Sequence, residues 1–130
     1  MQEYIPRDIE NKITPWLESK DILILRGPRQ SGKTTLLQKI IRDLIKNGIQ
    51  KERVHFINIE DDLEKEKLEK DPTGYFNFYL SEDNKKHYFI LDEIQYLSQA
   101  GKILKLIYDS VLNVKIIVSG SSTLDLNEIG

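Results

Sequence analysis

The sequence predicts an α/β fold in three layers, with a parallel sheet covered by helices on both faces. Three observations carry that prediction: four compact apolar runs, amphipathic stretches between them, and a glycine-rich junction where an apolar run passes into the first long helix. Apolar runs without alternation read as strands buried on both faces, and their alternation with helices implies right-handed βαβ crossovers. Residues 4–17 read as a short amphipathic helix with Ile9, Ile13, Trp16 and Leu17 on one side, restarted at Thr14-Pro15. Residues 21–26 form the first strand, and Gly27-Pro28 ends it. Residues 34–47 follow as a one-faced helix with Leu36, Leu37, Ile40, Ile41, Leu44 and Ile45 inward, stopped at Asn47-Gly48. Residues 54–59 are the second strand, followed by a helical stretch through Leu63 and Leu68. Asp71-Pro72 breaks that stretch, and Tyr75, Phe76, Tyr79 and Leu80 mark a second short helix before a polar loop at 81–86. Residues 87–91 are the third strand, 98–113 the most regular helix, and 115–119 the fourth strand.

Composition bounds the rest. A chain of 130 residues, 39% hydrophobic and 31% charged, suits one modest domain with a packed core rather than a disordered chain or a rod. The 19 Lys and Arg against 21 Asp and Glu leave a net charge of −2, which removes the basic excess of a general nucleic-acid binder. With no Cys, disulfides, thiolate metal sites and a cysteine nucleophile are excluded. Neither a run near the ~18 apolar residues of a membrane span nor a basic-then-apolar leader is present, so a cytoplasmic protein is expected.

The first strand-to-helix junction carries the most chemistry. Gly27-Pro28-Arg29-Gln30-Ser31-Gly32-Lys33-Thr34-Thr35 satisfies G-x-x-x-x-G-K-[ST] in the required context, after an aliphatic strand and at the start of an amphipathic helix. Backbone N–H groups of such a loop and of the helix start converge on an anion. Gly27 and Gly32 permit the close approach, and Lys33 supplies a point charge among terminal phosphates. The Thr34 hydroxyl suits a phosphate-bound magnesium ion, and Thr35 the α-phosphate. A plain connecting turn with a solvated lysine would not need both glycines, the Lys-Thr pair and this context together.

A second element follows at the end of the third strand, where residues 88–91 run into Asp92-Glu93. Adjacent residues at a strand end point in different directions, so Asp92 is assigned to magnesium and Glu93 to the general base that takes a proton from an attacking water. A helix-capping role is the alternative for the pair taken alone. Strands of an open parallel sheet deliver their carboxyl ends to one crevice, which brings Ser119-Gly120-Ser121-Ser122 there as well. Ser121 is the first candidate for a polar group that senses the γ-phosphate and Ser119 the second, against a turn-forming role for these serines. His55 and His87, within apolar strands, read as structural. The run Glu60-Asp61-Asp62, with Glu64 and Glu66 among lysines, reads as a solvated helix face with i,i+4 pairs rather than a metal site.

These residues, from Gly27 to Leu37, Leu91-Asp92-Glu93-Ile94-Gln95 and Ile117-Val118-Ser119-Gly120-Ser121-Ser122, resemble the prokaryotic AAA-type P-loop ATPases. The likeness is strongest to archaeal and bacterial ATP-binding proteins whose nucleotide domain precedes a C-terminal domain of uncertain role. It implies a P-loop NTPase three-layer sandwich, with Walker A at 27–35 and Walker B at Asp92-Glu93. It also implies that residues 1–130 form a single ATP-binding core that runs through the fourth strand, without the lid and C-terminal domain. The implied activity is magnesium-dependent ATP hydrolysis by Lys33, Glu93 and Ser121, coupled to conformational change in a protein partner or homo-oligomer. Tyr4-Ile5-Pro6-Arg7 would lie near the adenine or else cover the sheet edge. Arg29 would reach phosphate or a neighbouring subunit, or remain a solvated charge. The arginines are Arg7, Arg26, Arg29, Arg42 and Arg53, none after the fourth strand where the family carries its trans-acting arginine, so weak hydrolysis is expected. The absence of an N/T-K-x-D segment indirectly supports adenine over guanine. Competing readings are a nucleotide-dependent interaction switch with little turnover, a DNA-associated motor suggested by Asp92-Glu93-Ile94-Gln95, and a small-molecule kinase. A motor would need a basic, aromatic-lined stripe that is not evident, and Glu93 beside Asp92 favours activating water over holding an acceptor.

Overall fold

The computed structural model describes residues 19–27, 32–80 and 84–121, together with the backbone of residues 2–4. The four expected strands form as β2 (Ile22–Arg26), β3 (Val54–Asn58), β4 (His87–Asp92) and β5 (Val114–Gly120). A further strand, β1 (Gln2–Tyr4), pairs parallel with β2, giving a five-stranded sheet in the order β1-β2-β5-β4-β3. Every pairing is parallel. This corrects the expectation of a helix from Tyr4 onward. A three-residue strand has too few positions to show a period, and its pairing is decided by the β2 edge rather than by local propensity. The rest of the expected N-terminal helix, residues 5–17, lies outside the described residues.

Helices cover both faces. Leu23, Leu25, Ile90 and Ile117 point to one side, where α1 (Lys33–Lys46) seats Leu36, Leu37, Ile40 and Leu44. Ile22, Ile24, Phe89, Leu91, Ile116 and Val118 point to the other. There Leu68 of α2 (Asp62–Lys70), Phe76 of α3 (Pro72–Tyr79), and Leu104 and Ile107 of α4 (Ala100–Ser110) meet them. Alternate residues of each central strand thus serve opposite cores, which is why the strands are apolar throughout. Each buried Leu, Ile or Phe contributes ~1.5–3 kcal/mol.

The helix ends follow local chemistry. Gly48, at φ 100°, closes α1 as its N–H bonds to the Ile45 carbonyl and the Ile49 N–H bonds to that of Leu44. Asp61 caps α2 by accepting from the Leu63 N–H at 3.0 Å. α4 is shorter than its periodicity predicts. Gln99 takes a left-handed conformation before it, and Val111 is extended after it yet buried in the same core, so its spacing counted as helical although its backbone is not. Lys115 is buried within β5 because its ammonium donates to the carbonyls of Ser19, at 2.7 Å, and Asp21. His55 and His87 stack on Phe89, and their nitrogens share a 3.0 Å hydrogen bond. Burial and the neighbouring His87 lower the His55 pKa to about 4.

Candidate functional site

Strand register assembles the site. Asn58 pairs with Asp92 across β3 and β4, Leu91 with Val118 across β4 and β5, and Arg26 with Gly120 across β2 and β5. The Gly27 N–H continues that last pairing, bonding to the Gly120 carbonyl at 3.3 Å. The four strand ends therefore reach one crevice, as open parallel sheets require. A cavity of about 800 Å³ opens there, lined by Gly32, Lys33, Thr34, Thr35, Asn58, Glu60, Asp92 and Glu93.

Gly32 enters α1 at φ 88°, a conformation costly for any residue with a Cβ. Its carbonyl accepts from the Leu36 N–H, so the helix begins immediately. Lys33 is 4% exposed, and its ammonium bonds to the Gly27 carbonyl at 2.6 Å. The Thr34 hydroxyl donates to Asp92 Oδ2 at 3.1 Å, joining the start of α1 to the end of β4. The other carboxylate oxygen of Asp92 accepts from the Ser119 hydroxyl, and Ser119 Oγ in turn accepts from the Glu93 N–H at 3.0 Å. Glu93 occupies the left-handed region at φ 60°, ψ 50°, which turns the chain out of β4 into a 3-10 turn at Ile94–Tyr96. Gln95 Nε2 donates to Glu93 Oε2 at 3.2 Å, while Gln95 Oε1 accepts from the Ser121 N–H at 3.1 Å.

Of the residues expected at the site, Gly32, Lys33, Thr34, Thr35, Asp92 and Glu93 share the cavity wall. Gly27 frames it through the β5 pairing. Pro28, Arg29, Gln30 and Ser31 lie outside the described residues. The serine whose hydroxyl meets the Asp92-Glu93 pair is Ser119, the second candidate, whereas Ser121 joins the network through its backbone N–H. Asn58 and Glu60 line the cavity without having been anticipated. Asn58 Oδ1 accepts from the Glu60 N–H at 3.0 Å, and Glu60, solvent-exposed as its acidic run predicts, stands in the turn before α2 where it also lines the cavity. Their signal was position: they stand at the carboxyl end of the strand beside the one ending in Asp92.

A parallel sheet in this order, helices on both faces and a glycine turn opening α1 beside the carboxylates of β4 define a P-loop NTPase-like α/β fold. A family model described as an AAA domain matches residues 19–130, and the chain belongs to that family of AAA-type ATPases. It is 33% identical over 132 residues to an uncharacterized protein of Methanocaldococcus jannaschii, covering 98% of this chain and 26% of that protein. It is 29% identical over 117 residues to an uncharacterized protein of Haemophilus influenzae, covering 87% of this chain and 29% of that protein. The chain thus spans about a quarter of the length of the curated relatives it matches. No solved structure gives a significant match. Among the described residues no helix is long and apolar enough to cross a membrane.

Proposed function

We propose that the chain is one AAA-type nucleotide-binding domain that binds ATP with magnesium and hydrolyses it, driving conformational change in a larger protein or assembly. The observation that carries this reading is the 3.1 Å contact between Thr34 Oγ1 and Asp92 Oδ2, on a cavity that Lys33 and Glu93 also line. Two hard oxygen donors suit magnesium, which keeps several waters and needs only one or two protein ligands beside phosphate oxygens. Thr34 and Asp92 would hold the ion, which when bound supplies charge neutralisation on the terminal phosphates.

The chain's own groups do the rest. The N–H groups and positive dipole end at the start of α1 point at the cavity and stabilise phosphate anions. Lys33 exchanges its Gly27 carbonyl for a phosphate oxygen, a stronger bond because both partners are then charged. Asp92 is tied on both oxygens, by Thr34 and Ser119, and so stays on the metal side. Glu93 takes the proton of the attacking water on a carboxylate oxygen as the new P–O bond forms and ADP leaves.

Titration of ATP into wild type, Lys33→Ala and Glu93→Gln, followed by single-turnover hydrolysis, tests this reading. Lys33→Ala is expected to weaken ATP binding by about tenfold or more. Glu93→Gln should keep the affinity and lose at least about 100-fold in hydrolysis. Equal ATP affinity in wild type and Lys33→Ala would overturn nucleotide binding at this cavity, and undiminished hydrolysis in Glu93→Gln would overturn its role as base.

A further inference from the structure

Gln95 has no part in the chemistry above, yet its amide is held at both ends. A backbone N–H can only donate, so the amide oxygen must face Ser121, which leaves the NH2 group facing the Glu93 carboxylate. The two bonds therefore determine each other's orientation. Ser121 directly follows Gly120, whose carbonyl accepts from the Gly27 N–H at the mouth of the glycine-rich loop. Ser119 pins the backbone of Glu93 through its N–H, but the three rotatable bonds of the glutamate side chain lie beyond that contact.

We propose that Gln95 is the positioning residue for Glu93, fixing the carboxylate against the same strand ends that frame the phosphate loop. The assignment rests on the reading of Glu93 as the proton acceptor. Displacing a reacting group by about 1 Å can cost on the order of 100-fold in rate. A carboxylate released from Gln95 therefore loses turnover while the phosphate and metal contacts stay intact.

Two substitutions separate this role from a merely structural one. Gln95→Glu keeps an acceptor for the Ser121 N–H but sets a carboxylate against Glu93, whereas Gln95→Leu removes both bonds. ATP hydrolysis, ATP affinity and melting temperature are measured on each, beside wild type and Glu93→Gln. Both variants should lose about 10- to 100-fold in kcat, with KM and ATP affinity within about twofold of wild type. Gln95→Glu should also melt near the wild-type temperature. A Gln95→Glu protein that turns over at or above the wild-type rate, alongside an inactive Glu93→Gln, overturns the assignment and leaves the proposed function standing. Parallel losses of kcat, affinity and melting temperature in both variants also overturn it, since they mark a structural contact. Undiminished hydrolysis in Glu93→Gln instead overturns the reading of Glu93, and the role of Gln95 falls with it.

Discussion

The hydroxyl of Ser119 donates to Asp92 and accepts from the Glu93 N–H while fully buried, so one small group orients two acidic residues. Burial makes the loss of that group costly, because Asp92 Oδ1 and the Glu93 N–H would each lose this partner beside a fully buried Ser119 side chain. Ser119→Ala is expected to lower the unfolding free energy by about 1–3 kcal/mol, read from urea denaturation. An unchanged midpoint would show that the hydroxyl is dispensable. Sequence could point to this strand end but not choose between its serines. Ser119 and Ser121 stand two residues apart and share a face in any extended chain, and only the register of β5 against β4 decides which hydroxyl reaches the carboxylates. The glycine-lysine-threonine junction was legible because its chemistry is contiguous. Asn58, Glu60 and Gln95 were not, because their roles arise from neighbouring strand ends.

Elements with long, consistent patterns were legible to within a residue or two. α1 was expected at residues 34–47 and forms as Lys33–Lys46, because a wide apolar stripe and an Asn-Gly stop agree. What escaped includes β1, too short to carry a pattern, the 3-10 turns at Lys51–Arg53 and Ile94–Tyr96, and the end of α4, where buried Val111 mimics one more helical turn. The junction between α2 and α3 depends on Asp71. Its N–H ends α2 by donating to the Lys67 carbonyl at 3.3 Å and its carbonyl opens α3 by accepting from the Tyr75 N–H at 2.9 Å, while its side chain caps α3 by accepting from the Gly74 N–H at 3.2 Å. A methyl group at Gly74 would collide with that carboxylate, so glycine is what leaves room for the cap. Asp71→Ala is expected to cost ~1 kcal/mol, measured as a lower thermal midpoint, with Asp71→Asn recovering most of it. Equal losses in Ala and Asn variants would place the effect elsewhere than the cap.

At the scale of the whole molecule, two cores share one sheet, and pH acts on the larger of them through the histidine pair. Burial and His87 hold the His55 pKa at about 4, below the ~6.5 of an unfolded histidine. Between those values the unfolded chain binds a proton that the folded chain does not, so folding stability falls as pH drops from about 6.5 towards 4. Urea midpoints measured across that window should decline more steeply in wild type than in His55→Phe, which keeps an aromatic ring without the titration. Identical slopes would assign the acid sensitivity to other groups. The strand order has one more consequence. β2, β5 and β4 each have a sheet neighbour on both sides, whereas β3 has one only on the β4 side among the described residues. Breathing motions that begin at an edge must break fewer ladder bonds there than in the middle. Peeling β3 away would carry off Asn58 and Glu60 while the Thr34, Asp92 and Ser119 contacts remain anchored on interior strands. The cavity thus has a durable wall and a detachable one.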